Sequence, residues 1–124
     1  MPTMNRILVL DDDTELCELL SDYLQPEGFA VSARHQARQG LACALSGEHD
    51  LVVLDVMLPG RSGFEILQEL RAGESTRDLP VLMLTAKGQA RDREMAERAG
   101  ASRFLTKPFA NTEIVAALRD LVGR

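Results

Sequence analysis

Aromatic side chains are scarce in this chain, which has no tryptophan, one tyrosine and four phenylalanines among 124 residues. A surface that stacks successive bases needs several such rings, so single-stranded nucleic-acid recognition is disfavoured. An excess of basic charge is missing as well. Fourteen Lys and Arg face 19 Asp and Glu, for a net charge of −5 and a pI near 5.0. That leaves no basic footprint for direct DNA binding or for an anionic membrane. No apolar run reaches the length of a signal-peptide core or a membrane span, and Met1 to Arg6 pass directly into a short strand pattern. A cytoplasmic location without membrane contact is the expectation. Cysteine and histidine number two each. Cys17 and Cys43 fall in helical patterns with neither CxxC spacing nor a histidine partner, which predicts reduced thiols rather than a disulfide or a metal pair. His35 and His49 are isolated in loop contexts and read as surface residues.

Hydrophobic content is an ordinary 45%. A chain of this length covers one core well and is too short for two. One domain over 1–124 is therefore expected, structured from about residue 5 to about residue 122. The stretch that organises it is Leu51-Val52-Val53-Leu54, which ends at Asp55 and continues through Val56, Met57 and Leu58 to a Pro59-Gly60 turn. A continuous apolar run with β-branched residues, bounded by a turn, reads as a strand covered on both faces of a parallel sheet. Asp55 then stands at the carboxyl edge of that sheet, the edge where ligands bind in open α/β folds.

Four other runs repeat the pattern. Arg6 to Leu10 meets Asp11-Asp12-Asp13, with Asp13 suited to cap the helix that follows. That helix carries Leu16, Leu19, Leu20, Tyr23 and Leu24 at helical spacing and is closed by Pro26 and Gly28. Phe29 to Ala33 is a second strand, before a helix over about Ala37 to Ser46 with a small inward face of Ala37, Gly40, Leu41, Ala44 and Leu45. Phe64, Ile66, Leu67 and Leu70 mark a third helix ending near Gly73, and Glu74 to Asp78 is a polar loop. The strand from Pro80 and Val81 ends at Thr85. A highly charged fourth helix follows over roughly Gln89 to Arg98, with Ala90, Met95, Ala96 and Ala99 as its apolar face and Gly100 as its stop. Arg103 to Thr106 ends at Lys107-Pro108-Phe109, and a last helix over about Asn111 to Val122 carries Ile114, Val115, Leu118 and Leu121. Five βα units with right-handed crossovers make a doubly wound α/β sheet.

A parallel sheet brings all of these strand ends to one rim: Asp11 and Asp12, Asp55, Thr85 and Lys107. Crowded carboxylates repel unless a cation neutralises them, and an all-oxygen site suits Mg²⁺. Because Mg²⁺ keeps several waters, Asp11 is expected to act through one. A carboxylate, a metal, a hydroxyl and an ammonium are the parts that phosphoryl transfer uses. Asp55, alone on its strand, is the candidate nucleophile and would form an aspartyl phosphate.

Ile-Leu-Val-Leu-Asp-Asp-Asp, Leu-Val-Val-Leu-Asp-Val-Met-Leu-Pro-Gly-Arg-Ser-Gly, Leu-Met-Leu-Thr-Ala and Phe-Leu-Thr-Lys-Pro-Phe resemble the successive motifs of the response-regulator receiver domain of two-component signalling. The resemblance covers nearly the whole chain, with the motifs in order. It implies the CheY-like, flavodoxin-type (βα)5 arrangement with strand order 2-1-3-4-5. It implies that Asp55 accepts a phosphoryl group from a phosphohistidine on a sensor histidine kinase or phosphotransfer protein. Mg²⁺ (or Mn²⁺) would be held by Asp12, Asp55 and the Met57 backbone carbonyl, with Asp11 assisting. Lys107 would precede a cis peptide bond to Pro108. Thr85 would move toward the phosphoryl oxygens and Phe104 turn inward, remodelling the face made by the fourth helix, fifth strand and fifth helix. Met57, Ala86 and Lys87 would border the phosphoryl group and tune its loss to water. On this reading the chain promotes its own phosphorylation and dephosphorylation without being an enzyme in the usual sense.

Two departures qualify that picture. Phe104 lacks the hydroxyl of the tyrosine often found there. Many winged-helix DNA-binding regulators carry Asp-Asp before the aromatic, where this chain has Ser102-Arg103, so that mode of symmetric dimerisation is placed in doubt; a monomer or a weak phosphorylation-dependent dimer is expected. A haloacid-dehalogenase phosphatase fits less well, since Glu15 stands where its motif needs Thr or Val, and a flavin binder would not place three acids at a phosphate site. A receiver-fold interaction module that works without phosphorylation remains the alternative. A downstream partner protein and a C-terminal output domain beyond Arg124 both stay open.

Overall fold

The computed structural model describes residues 5–86 and 90–122. Five strands, β1 (Asn5–Leu10), β2 (Phe29–Arg34), β3 (Leu51–Asp55), β4 (Val81–Ala86) and β5 (Arg103–Lys107), pair in parallel in the order β2-β1-β3-β4-β5. Helices α1 (Thr14–Leu24), α2 (Ala37–Leu45), α3 (Gly63–Ala72), α4 (Ala90–Ala99) and α5 (Asn111–Val122) connect or follow them. A two-residue antiparallel ribbon, Met57–Leu58 with Arg61–Ser62, forms the turn after β3. This is the expected doubly wound arrangement.

The strands alternate their side chains between two helix layers, so every residue of β3 is buried. On one face Leu8, Leu10, Val52, Leu54 and Met83 pack with Ile66, Leu67 and Leu70 of α3 and Ala96 of α4. On the other, Ile7, Val9, Val53, Leu82 and Leu84 pack with Leu20 and Leu24 of α1 and Ile114 and Leu118 of α5. Asp13 caps α1 as expected, its Oδ1 accepting from the Leu16 N–H at 3.1 Å.

Three residues placed on inward helix faces are instead exposed. Leu19 is 65% exposed because the buried line of α1 runs through Cys17, Leu20 and Leu24, well round the helix from it. Leu45 and Met95 each follow directly after a buried alanine, Ala44, or precede one, Ala96, and so turn about 100° away from the sheet. The Glu74 to Asp78 loop is also less open than its composition implies. Thr76 is buried there with its hydroxyl on the Leu70 carbonyl, and Arg71 donates to the carbonyls of Thr76, Leu79 and Gly100. These bonds tie the end of α3 to the end of α4.

Gly63 carries the most demanding backbone approach near the rim. Its N–H donates to the Val56 carbonyl at 2.7 Å. A Cβ at this position would lie 2.3 Å from the Asp55 carbonyl oxygen and 3.0 Å from the Val56 Cα. Nothing there is a flexible side-chain end, so the strand terminus itself would have to move. Gly63→Ala is expected to lower stability by about 1–3 kcal/mol, read as a lower urea midpoint; an unchanged midpoint would contradict this approach.

Candidate functional site

The rim is built from the strand ends that the core holds in register. Asp11 follows β1 directly and is completely buried, while Asp12 beside it is exposed. Asp55 closes β3 and is 6% exposed; the next N–H, of Val56, is tied to the Leu84 carbonyl at 2.9 Å. One carboxylate oxygen from each of Asp11, Asp12 and Asp55 can be chosen so that all lie within 4.8 Å of one another. Lys107, at the end of β5, reaches across: its Nζ donates to Asp11 Oδ2 at 2.8 Å and lies 3.6 Å from Asp55 Oδ1. The Lys107–Pro108 peptide bond is cis.

Three acids against one ammonium leave this cluster negative, and the titration of its members follows. Burial, reinforced by the charge of Asp11, pushes the Asp55 carboxyl up to about 6, although Lys107 and the Met57 N–H pull the other way. Burial alone would lower Lys107, but its hydrogen bond to Asp11 and the charges of Asp11 and Asp55 raise it instead. Oxygen donors gathered with excess negative charge match what a hard divalent cation requires.

Thr85 does not share in this contact network. It is 2% exposed near the end of β4, and its hydroxyl donates to Asp92 Oδ2 at 2.7 Å, in the first turn of α4. Ala86 is exposed beside it, and Met57 is exposed on the turn after β3. Lys87 lies outside the described residues. Phe104 is half-buried on β5 and lines a groove of about 190 Å³ between β5 and α4, with Arg93, Ala96 and Ala101.

His35 and Cys17 near the rim, and His49 at the opposite edge of the sheet, escaped the reading of the sequence. His35 is half-buried rather than a surface residue, with Nδ1 3.0 Å from the Asp11 carbonyl oxygen, because the turn after β2 folds back beside the end of β1. His49 is likewise half-buried, and burial lowers its pKa. Cys17 is a core residue whose thiol lies 3.5 Å from the same Asp11 carbonyl. Burial first, then the charges of Asp11 and Asp13, push that thiol up to about 11, which keeps it protonated near neutral pH. Both cysteines are free.

Residues 7–119 match the family model described as the response regulator receiver domain. This chain belongs to the receiver domain family. Among curated relatives, the transcriptional regulatory protein CpxR of Klebsiella pneumoniae subsp. pneumoniae is 45% identical over 121 residues, covering 98% of this chain and 50% of the relative. The DNA-binding dual master transcriptional regulator RpaA of Synechocystis is 43% identical over the same length, again covering 98% of this chain and 50% of the relative. The receiver domain thus spans about half the length of these relatives. Among solved structures, chemotaxis response regulator CheY4 of Vibrio cholerae superposes with a TM-score of 0.89 at 28% identity, covering 96% of this chain and 99% of that one. The receiver domain of sensor histidine kinase PA1611 from Pseudomonas aeruginosa, solved with a magnesium ion coordinated in its active-site cleft, gives 0.89 at 28% identity, covering 98% of this chain and 100% of that one. None of the helices among the described residues is long and apolar enough to cross a membrane.

In this receiver domain the raised Asp55 carboxyl is a cost to the fold. Its folded form holds the proton more tightly than the unfolded form, whose pKa is 3.8 against about 6. Stability from this group is therefore present below about pH 4 and lost as pH rises through about 6. Without divalent cation at about pH 8, Asp55→Asn is expected to be more stable than the parent by about 1–3 kcal/mol, with the gap closing toward about pH 4. Urea denaturation at the two pH values checks this; a variant less stable at high pH would contradict it.

Proposed function

We propose that this domain takes a phosphoryl group onto Asp55 from a phosphohistidine on a sensor histidine kinase or phosphotransfer protein. One Asp55 carboxylate oxygen attacks phosphorus while the P–N bond breaks, and the imidazole leaves with the electron pair. The observation that carries this reading is the Lys107 ammonium held between Asp11 and Asp55, at 2.8 and 3.6 Å. An ammonium so held sits beside the acceptor before any phosphoryl group arrives, and so needs little reorganisation to meet the equatorial oxygens.

The acidic cluster suits Mg²⁺ or Mn²⁺, with Asp12, Asp55 and the Met57 carbonyl as ligands and Asp11 acting through water; when bound, the ion would offset charge on the phosphoryl oxygens. Asp11 has a second task in this account, since its hydrogen bond orients Lys107. Thr85 supplies a hydrogen bond to a phosphoryl oxygen, and Phe104 turns inward with it. The change then reaches the surface made by α4, β5 and α5, which borders the groove beside Phe104. Ala86, Lys87 and Met57 border the group and set how fast water removes it.

Similarity to transcriptional regulators twice as long supports a role as the input half of such a protein, acting in the cytoplasm. Direct DNA contact would then fall to the other half, in keeping with the acidic balance of this one. Arg103 pairs within the chain with Asp120 at 2.9 Å. A monomer or weak phosphorylation-dependent dimer fits this better than a dimer built on Asp-Asp at that position.

Incubated with acetyl phosphate and Mg²⁺, the parent is expected to gain the mass of one phosphoryl group, and Asp55→Asn none. Lys107→Ala is expected to slow uptake by about 10²-fold, followed by intact-protein mass spectrometry. Labelling of Asp55→Asn at the parental rate would overturn the assignment, and a folded parent that gains no mass would favour an interaction module that works without phosphorylation.

A further inference from the structure

The hydroxyl of Thr85 has one proton to donate. In this structure that proton goes to Asp92 Oδ2, 2.7 Å away. The reaction proposed for Asp55 asks for the same proton on a phosphoryl oxygen, and one proton cannot serve both acceptors. Thr85 is 2% exposed, so it cannot simply exchange Asp92 for bulk water. Asp92 for its part is half-buried in the first turn of α4, and no Lys or Arg among the described residues lies within ion-pair distance of it. Among the described residues its charge is met by the first turn of α4 and by this hydroxyl.

We propose that Asp92 is a positioning residue for phosphoryl transfer at Asp55: by accepting the Thr85 proton it opposes engagement of the phosphoryl group, so that Thr85 must leave α4 to complete the site. The inference rests on the reading of Asp55 as phosphoacceptor. It gives the switch a definite first event, the exchange of one acceptor for another. It also explains how the site communicates with α4, because the bond that breaks anchors the first turn of that helix to the sheet. Few apolar contacts oppose such a shift, since among the described side chains of α4 Ala96 is the one that is fully buried.

A carboxylate at the start of α4 would also weaken binding of an anion at Asp55 by simple repulsion, without involving Thr85. A double-mutant cycle separates the two effects. Affinity of the chain for beryllofluoride, a phosphoryl analogue, is measured by titration calorimetry with saturating Mg²⁺ in the parent, Asp92→Ala, Thr85→Val and the double variant. Asp92→Ala is expected to bind about 5- to 10-fold tighter, and to lose phosphoryl groups at a correspondingly altered rate. In the Thr85→Val background the same change is expected to alter affinity by less than about twofold. Asp92→Asn keeps a neutral acceptor and is expected to tighten binding by about two- to threefold. It carries the same cycle should the alanine variant fail to fold. Parental affinity in both Asp92 variants would overturn the inference while leaving Asp55 as acceptor, and so would equal tightening with and without the Thr85 hydroxyl. A folded parent that binds no beryllofluoride would overturn the phosphoacceptor reading and this inference with it.

Discussion

The Lys107 ammonium, shared between a fully buried Asp11 and the nearly buried Asp55, is the interaction on which the rim of this sheet depends. Two carboxylates and an exposed third converge where the dielectric is low, and one cation offsets only part of their charge. Remove that ammonium and the ends of β1 and β3 would repel. Keep it and a negative imbalance remains, which adds to burial in raising Asp55 to about 6 and leaves oxygen donors suited to a further cation.

The rest of the molecule makes this imbalance tolerable. β3 is buried along its whole length and is paired on both sides, by β1 and β4, so the strand that ends in Asp55 cannot slide away from its neighbours. Gly63 lets α3 begin in contact with the Asp55 carbonyl, and His35 and Cys17 both lie against the Asp11 carbonyl. The acids are thus supported through their backbone while their side chains face one another. By contrast the described residues of α4 are held lightly, by Ala96 and the partly buried Ala99, by the Arg71 bond to Gly100 just past the helix and by Thr85 on Asp92. A rigid floor with one loosely held wall suits the switch proposed above.

Much of this was legible before any coordinates. The apolar runs that end in Asp11, Asp55, Thr85 and Lys107 identify strands by their continuity, and parallel pairing obliges their ends to meet. What periodicity cannot decide is rotation by a fraction of a turn, which is why Leu19, Leu45 and Met95 were placed inward and proved exposed. Nor does it reveal that Cys17 belongs to the buried line of α1, or that His35 folds back on β1. Asp92 was invisible for another reason. It lies seven positions beyond Thr85 in a helix so charged that no single acid stands out, and its partner is known only once α4 is seen to begin over the end of β4.

The central claim is that burial and crowding at the rim together set the protonation of the Asp55 carboxyl. Carbon-13 NMR titration of the aspartate carboxyls in the metal-free protein measures it directly. Asp55 is expected to titrate near 6, and added Mg²⁺ to move its midpoint well below that value. An Asp55 midpoint at the ordinary 3.8, unmoved by Mg²⁺, would contradict the account.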